Sequence, residues 1–208
     1  MKLKDLLDEA IRIAGNDMFN RVNIDKETSE ISSNPRALTD DELHAAKVLG
    51  IGAVKYADLS MNRESNYRFS FKKMLSLSGN TAPYMLYAYA RIQGIRRKAA
   101  ENLKLTDNTF DVDPAVLVFT KPEEVSLAKA LLQLDDILRE IEQDLYPNKL
   151  CEYIFELSQK FNQFYENCPV IKAETPEIAV TRTLLCSVSA ETLKVSLSLL
   201  GIDCLEKI

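Results

Sequence analysis

The chain has 208 residues, 46% of them hydrophobic and 27% charged, with a formal net charge of −5. That content supports a packed core beneath a solvated surface, and the acidic balance argues against indiscriminate nucleic-acid binding while permitting a local basic face. No apolar run approaches the roughly 20 residues of a membrane span. The start, MKLKDLLDEA, alternates charge with leucine where a secretory signal would be apolar, so export and membrane insertion are not indicated.

In chain order, Asp5 to Ala14 reads as an amphipathic helix that turns Leu6, Leu7, Ala10, Ile11 and Ile13 inward. Asn23 to Arg36 is polar and reads as a mobile loop. Thr39 with Glu42 three residues later is a capping-box signature. The helix it starts runs through His44 and Val48 until Gly50 and Gly52 interrupt or end it. His44, the one histidine, reads as an exposed helical residue rather than a catalyst. Asn66 to Phe71 alternates aromatic and polar side chains, as a short strand or an extended connector would.

The richest stretch is Gly79 to Lys98, GNTAPYMLYAYARIQGIRRK. Gly79 can close the preceding segment, Asn80 and Thr81 offer capping oxygens, and Pro83 fits the first turn of a helix. Tyr84 and Tyr87 then share a face that Arg91 continues, while Met85, Tyr89 and Ile92 form a second row turned inward. Two phenol rings beside a guanidinium can stack bases and neutralise phosphate. A tyrosine stripe can equally be half-buried core, and spacing alone leaves both readings open.

Leu105 to Pro122 breaks the helical pattern, with Ala115 to Phe119 as a short, β-prone, buried excursion. Helices are predicted over Pro122–Leu145, Lys149–Asn167 and Pro176–Leu200, with ends marked by Pro147, Pro169 and Gly201. Glu123 and Glu124 suit a first turn, and the acidic run from Glu123 to Asp144 reads as mostly a solvated face. Four cysteines, Cys151, Cys168, Cys186 and Cys204, fall about one per helix without a CxxC pair, which suits reduced core thiols better than zinc ligands or disulfides. No repeat is evident. The expected fold is all-α.

Catalytic signatures are missing: there is no HxGH, GxGxxG or P-loop, and no serine elbow beside the single histidine. The chain alone is expected to be catalytically inactive and to hold no cofactor or metal.

The GNTAPYMLYAYARI segment resembles the GNTAPYxxYAxARI stretch of class I arginyl-tRNA synthetases. Similar likenesses follow the same order along the chain: Leu3–Ala10, Gly52–Leu59, Asn62 with Arg63, Tyr67–Leu75, Leu150–Val170 and Arg182–Ile208 with its LLGI. The resemblance implies the C-terminal part of such an enzyme. Residues 1–75 would link to the catalytic domain, and residues 76–208 would form the anticodon-binding helical bundle. It implies a cytoplasmic parent that joins L-arginine to tRNA(Arg) with ATP, both small substrates bound elsewhere in that parent. Partners of this part would be the tRNA anticodon arm and the catalytic domain.

By the same resemblance, the anticodon-loop tyrosines fall on Tyr84 and Tyr87, and the chain terminus near that loop falls on Ile208, where many relatives carry methionine. Asn80 stands at the helix start. Arg91, Arg96 and Arg97 are candidate phosphate partners, although Arg96 and Arg97 could pair with the acidic run instead. Two other classes remain in view: an RNA-free helical protein-interaction module, and the matching domain of another class I synthetase.

Overall fold

A computed structural model describes residues 2–24, 29–66, 69–103 and 112–208. Among them the chain is all-α: α1 (Leu3–Asn23), α2 (Asp40–Leu59), α3 (Phe71–Met74), α4 (Ala82–Leu103), α5 (Pro122–Leu132), α6 (Leu134–Asp144), α7 (Asn148–Asn167) and α8 (Pro176–Leu199). A 3-10 turn at Pro114–Val116 and an isolated antiparallel bridge between Ile24 and Ile31 complete the regular structure.

α1 and α2 form an antiparallel hairpin at the N-terminal side, and α2 lays its other flank on α4. α4 packs on α8, and α7 joins α4, α5, α6 and α8 in one core. That core is continuous, from Met18 and Leu49 on the hairpin through Leu86 and Ile92 on α4 to Phe161, Phe164, Leu193 and Leu197.

α1 reaches Asn23, well beyond the predicted end at Ala14, because Ala10, Ala14 and Met18 recur every four residues and bury one stripe. Asn23 is itself buried. It donates to the carbonyls of Phe19 and Arg36, both at 3.0 Å, and accepts from the Arg36 N–H, which closes the Asn23–Arg36 loop.

Thr39 and Glu42 make the expected capping box, each side chain accepting from the other's backbone N–H. Gly50 and Gly52, however, do not stop α2, which continues to Leu59. They let neighbours approach. A Cβ at Gly50 would stand 2.7 Å from the Ile11 Cα and 2.8 Å from the Ala10 carbonyl carbon, so α1 crosses α2 with backbone almost touching.

Phe71 begins the one-turn α3, Ser70 before it is extended, and residues 69–70 form no strand, so the described part of the NYRFSF segment is connector rather than strand. Residues 67 and 68 lie outside the described set. Gly79 has φ +82°, as its place in the turn requires. Thr81 supplies the α4 cap, its hydroxyl accepting from the Tyr84 N–H at 3.3 Å.

The single helix expected over Pro122–Leu145 is two helices. At Gln133 the N–H bonds back to Ala130, an i−3 bond that tightens the turn and re-aims the chain. Ala115–Phe119 is not buried: Val116, Val118 and Phe119 are about 40% exposed, and Val118 is held by an N–H bond to the Thr181 hydroxyl. All four cysteines are free, with Cys204 half-buried and the others buried.

Glu124 departs from the solvated face predicted for the acidic run. It is fully buried, with Oε1 2.6 Å from the Arg182 Nε and Oε2 accepting from the Thr120 and Lys121 N–H groups. Burial alone would raise its pKa, but the arginine and the two amides hold it below the ordinary carboxylate value.

Candidate nucleic-acid interface

α4 carries two rows. Met85, Tyr89 and Ile92 are buried as the spacing predicts, while Tyr84 and Tyr87 are half-buried and Arg91 is exposed. The phenol rings are neither sealed in nor fully free.

Tyr84 is seated edge-on against Phe155 of α7, centroids 5.8 Å apart. Its hydroxyl accepts from the Asn162 side-chain amide at 2.7 Å. The carbonyl end of the same amide takes a hydrogen bond from Arg91 at 3.3 Å. Tyr87 meets α1: the Arg21 guanidinium donates to its hydroxyl and also lies over its ring, 5.2 Å from the centroid. Partial burial raises the Tyr87 pKa, and the Arg21 charge offsets some of that rise. A shallow apolar groove formed by Met18, Leu49, Leu75, Leu77 and Pro83 runs beside the Tyr87 ring.

Past Arg91 the stripe opens into a groove of about 650 Å³ between α4 and the end of α7, lined by Arg91, Gly94, Lys98, Tyr165, Glu166 and Lys172. Three cations face one carboxylate there. Tyr165 is 44% exposed and parallel to the buried Phe161 ring, with centroids 6.4 Å apart. The combination offers an aromatic face beside positive charge, which suits unstacked bases joined by phosphates.

The other sequence-predicted residues are not in this stripe. Asn80 turns its oxygen to the buried Tyr56 hydroxyl at 2.6 Å and lines a separate cleft of about 420 Å³ with Lys73 and Ser70. At about 100° per residue, Arg96 and Arg97 point roughly 140° and 120° around α4 from Arg91. Arg96 bonds Gln93 at 3.1 Å and approaches Glu191 of α8 at 3.8 Å, so its carboxylate neighbour is on α8 rather than in the Glu123–Asp144 run. Arg97 reaches the Glu206 carbonyl at 3.4 Å, tying the C-terminal tail to α4. Ile208 is half-buried against the core.

Sequence reasoning missed Arg21, Asn162, Tyr165 and Lys172. Tyr165 had a usable signal, one residue past the inward Phe164 and so turned off the core row. Arg21 and Asn162 had none, since their partners lie 66 and 78 residues away.

Among the described residues no cluster of histidine, cysteine or acid could hold a metal, and no helix is long and apolar enough to cross a membrane.

Comparison with known proteins agrees with this architecture. The chain is 51% identical over its whole length to arginine–tRNA ligases of Synechococcus elongatus and Nostoc punctiforme, and it spans about a third (33%) of each. Its fold matches the arginyl-tRNA synthetase of Plasmodium falciparum with TM-score 0.81 at 33% identity, all of this chain against 34% of that one. The Thermus thermophilus arginyl-tRNA synthetase gives 0.78 at 25% identity, all of this chain against 32%. Residues 1–71 match the family described as tRNA synthetases class I (R), catalytic domain. Residues 85–208, more than half of the chain, match the DALR anticodon binding domain, and the chain belongs to that family.

Proposed function

We propose that this chain is the anticodon-arm-binding part of an arginine–tRNA ligase, divided into a linking segment at residues 1–75 and the helical bundle at 76–208. The observation that carries the reading is the Tyr84–Tyr87–Arg91 stripe running into the cationic groove beside Tyr165. Loop bases leave their stack and settle on the phenol rings, each contact worth roughly 1–3 kcal/mol. Phosphates meet Lys172 and one side of the Arg91 guanidinium, which fixes register. Because Arg21 covers part of Tyr87, a base there packs on the remaining face with the guanidinium at its edge.

Asn80, Arg96 and Arg97 act from behind this surface. Asn80 pins the start of α4 to Tyr56, and the two arginines brace α4 against α8 and the tail that ends at Ile208. The parent enzyme is cytoplasmic and attaches L-arginine to tRNA(Arg) using ATP. ATP and arginine bind its catalytic domain, and this part contributes by orienting the acceptor end over that domain.

Tyr84→Ala and Tyr87→Ala, each measured for binding to tRNA(Arg) with circular dichroism as a check on folding, should weaken affinity by roughly ten- to a hundredfold. Binding should also fall steeply with added salt. Unchanged affinity in both variants, or equal affinity for unrelated RNAs, would overturn the proposal and favour a protein-interaction module.

A further inference from the structure

We infer that Asn162 is a positioning residue that makes the Tyr84–Arg91 pair a donor-only reading edge, selective for a nucleobase that presents carbonyl or ring-nitrogen acceptors. The inference rests on the RNA-binding reading above and adds to it the hydrogen-bond polarity of the site.

A guanidinium has five N–H donors and no acceptor, and an asparagine amide has an acceptor end and a donor end. Arg91 lies 3.3 Å from the Asn162 Oδ1, so the oxygen must face the guanidinium. The amide nitrogen is thereby turned to Tyr84, where it stands 2.7 Å from the phenol oxygen. That oxygen accepts from Asn162, and the phenol hydrogen is left with no acceptor among the described residues. It is free for a ligand.

Arg91, exposed, keeps its other N–H groups for the same purpose. Seven residues apart, Tyr84 and Arg91 sit two turns along one stripe, so one amide sets both. The edge they present therefore donates only. A base edge bearing an acceptor is satisfied by it. An amino group aimed at the same spot meets another donor and leaves both unpaired, which is the costly outcome. A site built to hydrogen-bond one pattern rejects its opposite far more strongly than an apolar pocket could.

The test exploits an isosteric reversal. In Asn162→Asp the carboxylate accepts only, so the phenol must turn its hydrogen inward and loses its outward donor. Binding is measured for tRNA(Arg) and for transcripts with each anticodon-loop base replaced in turn. Asn162→Asp and Tyr84→Phe should each lower discrimination at the same single loop position by about tenfold. The double variant should lower it no further. Asn162→Ala, which leaves the phenol hydrogen available, should retain more discrimination than Asn162→Asp; a purely structural role gives the opposite order, because the aspartate keeps the shape. The added negative charge weakens binding to every transcript alike and drops out of the discrimination ratio.

Additive effects in the double variant, or full discrimination in Asn162→Asp while Tyr84→Phe loses it, would overturn the inference alone. If Tyr84→Phe and Arg91→Ala both bind every transcript as the unaltered chain does, the RNA-binding reading fails and takes this inference with it.

Discussion

Two arginines in this molecule have opposite surroundings. Arg182, on α8, is completely buried, its guanidinium bonded to Glu124 at 2.6 Å, the Pro169 carbonyl at 2.8 Å, Glu174 at 3.0 Å and the Thr120 hydroxyl at 3.4 Å. Arg91 stands exposed on α4 with one amide oxygen. The first arrangement uses its donors internally and stitches the start of α5, the loop after α7 and α8 into one block. The second leaves most of its donors for something outside the chain. Saturation of hydrogen-bonding capacity, rather than charge itself, separates a structural arginine from a binding one here.

The largest effect should come from breaking the saturated side. Arg182→Met strands a buried Glu124 carboxylate, and removing one partner of such a pair costs about 3–5 kcal/mol. Urea unfolding should show that loss, while RNA affinity measured on the folded fraction stays within about twofold. A stability change under about 1 kcal/mol would mean that the cluster does not hold the fold together, and the contrast with Arg91 would collapse.

Next in size is Gly50→Ala. Its new methyl meets Ile11 backbone at 2.7 Å, so α1 must shift, at a cost of about 1–3 kcal/mol. Because α1 carries Arg21 to the Tyr87 ring, this substitution should also reduce RNA affinity without touching the interface, linking the buried crossing to the open stripe. Retained stability together with retained affinity would show that the crossing has slack.

The pH response of the buried pair is smaller and has a definite sign. The Glu124 carboxyl is held below its ordinary value of 4.5, so its contribution is present above that value and disappears as pH falls through its folded pKa. Melting temperature should therefore drop as pH is lowered below 4.5 and through the depressed folded pKa, and Glu124→Gln should flatten that drop. An identical acid profile in the variant would place the sensitive group elsewhere.

These same elements show what could be read in advance. Local signals were legible: the Thr39–Glu42 box, the inward row Met85–Tyr89–Ile92, Gly79 and the boundaries of α7 and α8 all follow from capping, periodicity and positive φ. What failed depended on a distant partner. Glu124 looked like one more solvated acid because Arg182 is 58 residues away. Gly50 looked like a stop because only the path of α1 reveals it as a crossing. The break at Gln133 left no mark, as neither glycine nor proline stands there. At the interface, the tyrosine spacing gave a stripe but not its function, which the GNTAPY resemblance suggested. The groove beyond Arg91 needed α7 folded alongside α4 before Tyr165 and Lys172 could join it.

Arg91→Ala should have the least effect on stability and is the sharpest check on the contrast. An exposed side chain with a single long hydrogen bond should change unfolding free energy by no more than about 0.5 kcal/mol, since surface substitutions away from special features rarely do more. Its effect should appear instead in RNA binding, where losing one phosphate contact lowers the slope of log affinity against log salt by about one and weakens binding to all transcripts. Loss of Arg91 also frees the Asn162 amide to rotate, so discrimination should soften at the position that Tyr84 reads. If stability instead falls as far as in Arg182→Met, Arg91 is holding α4 to α7 and the stripe is a packing feature. If stability and salt slope both stay put, the guanidinium meets no phosphate, and the positive charge used by the groove must come from Lys172 and its neighbours.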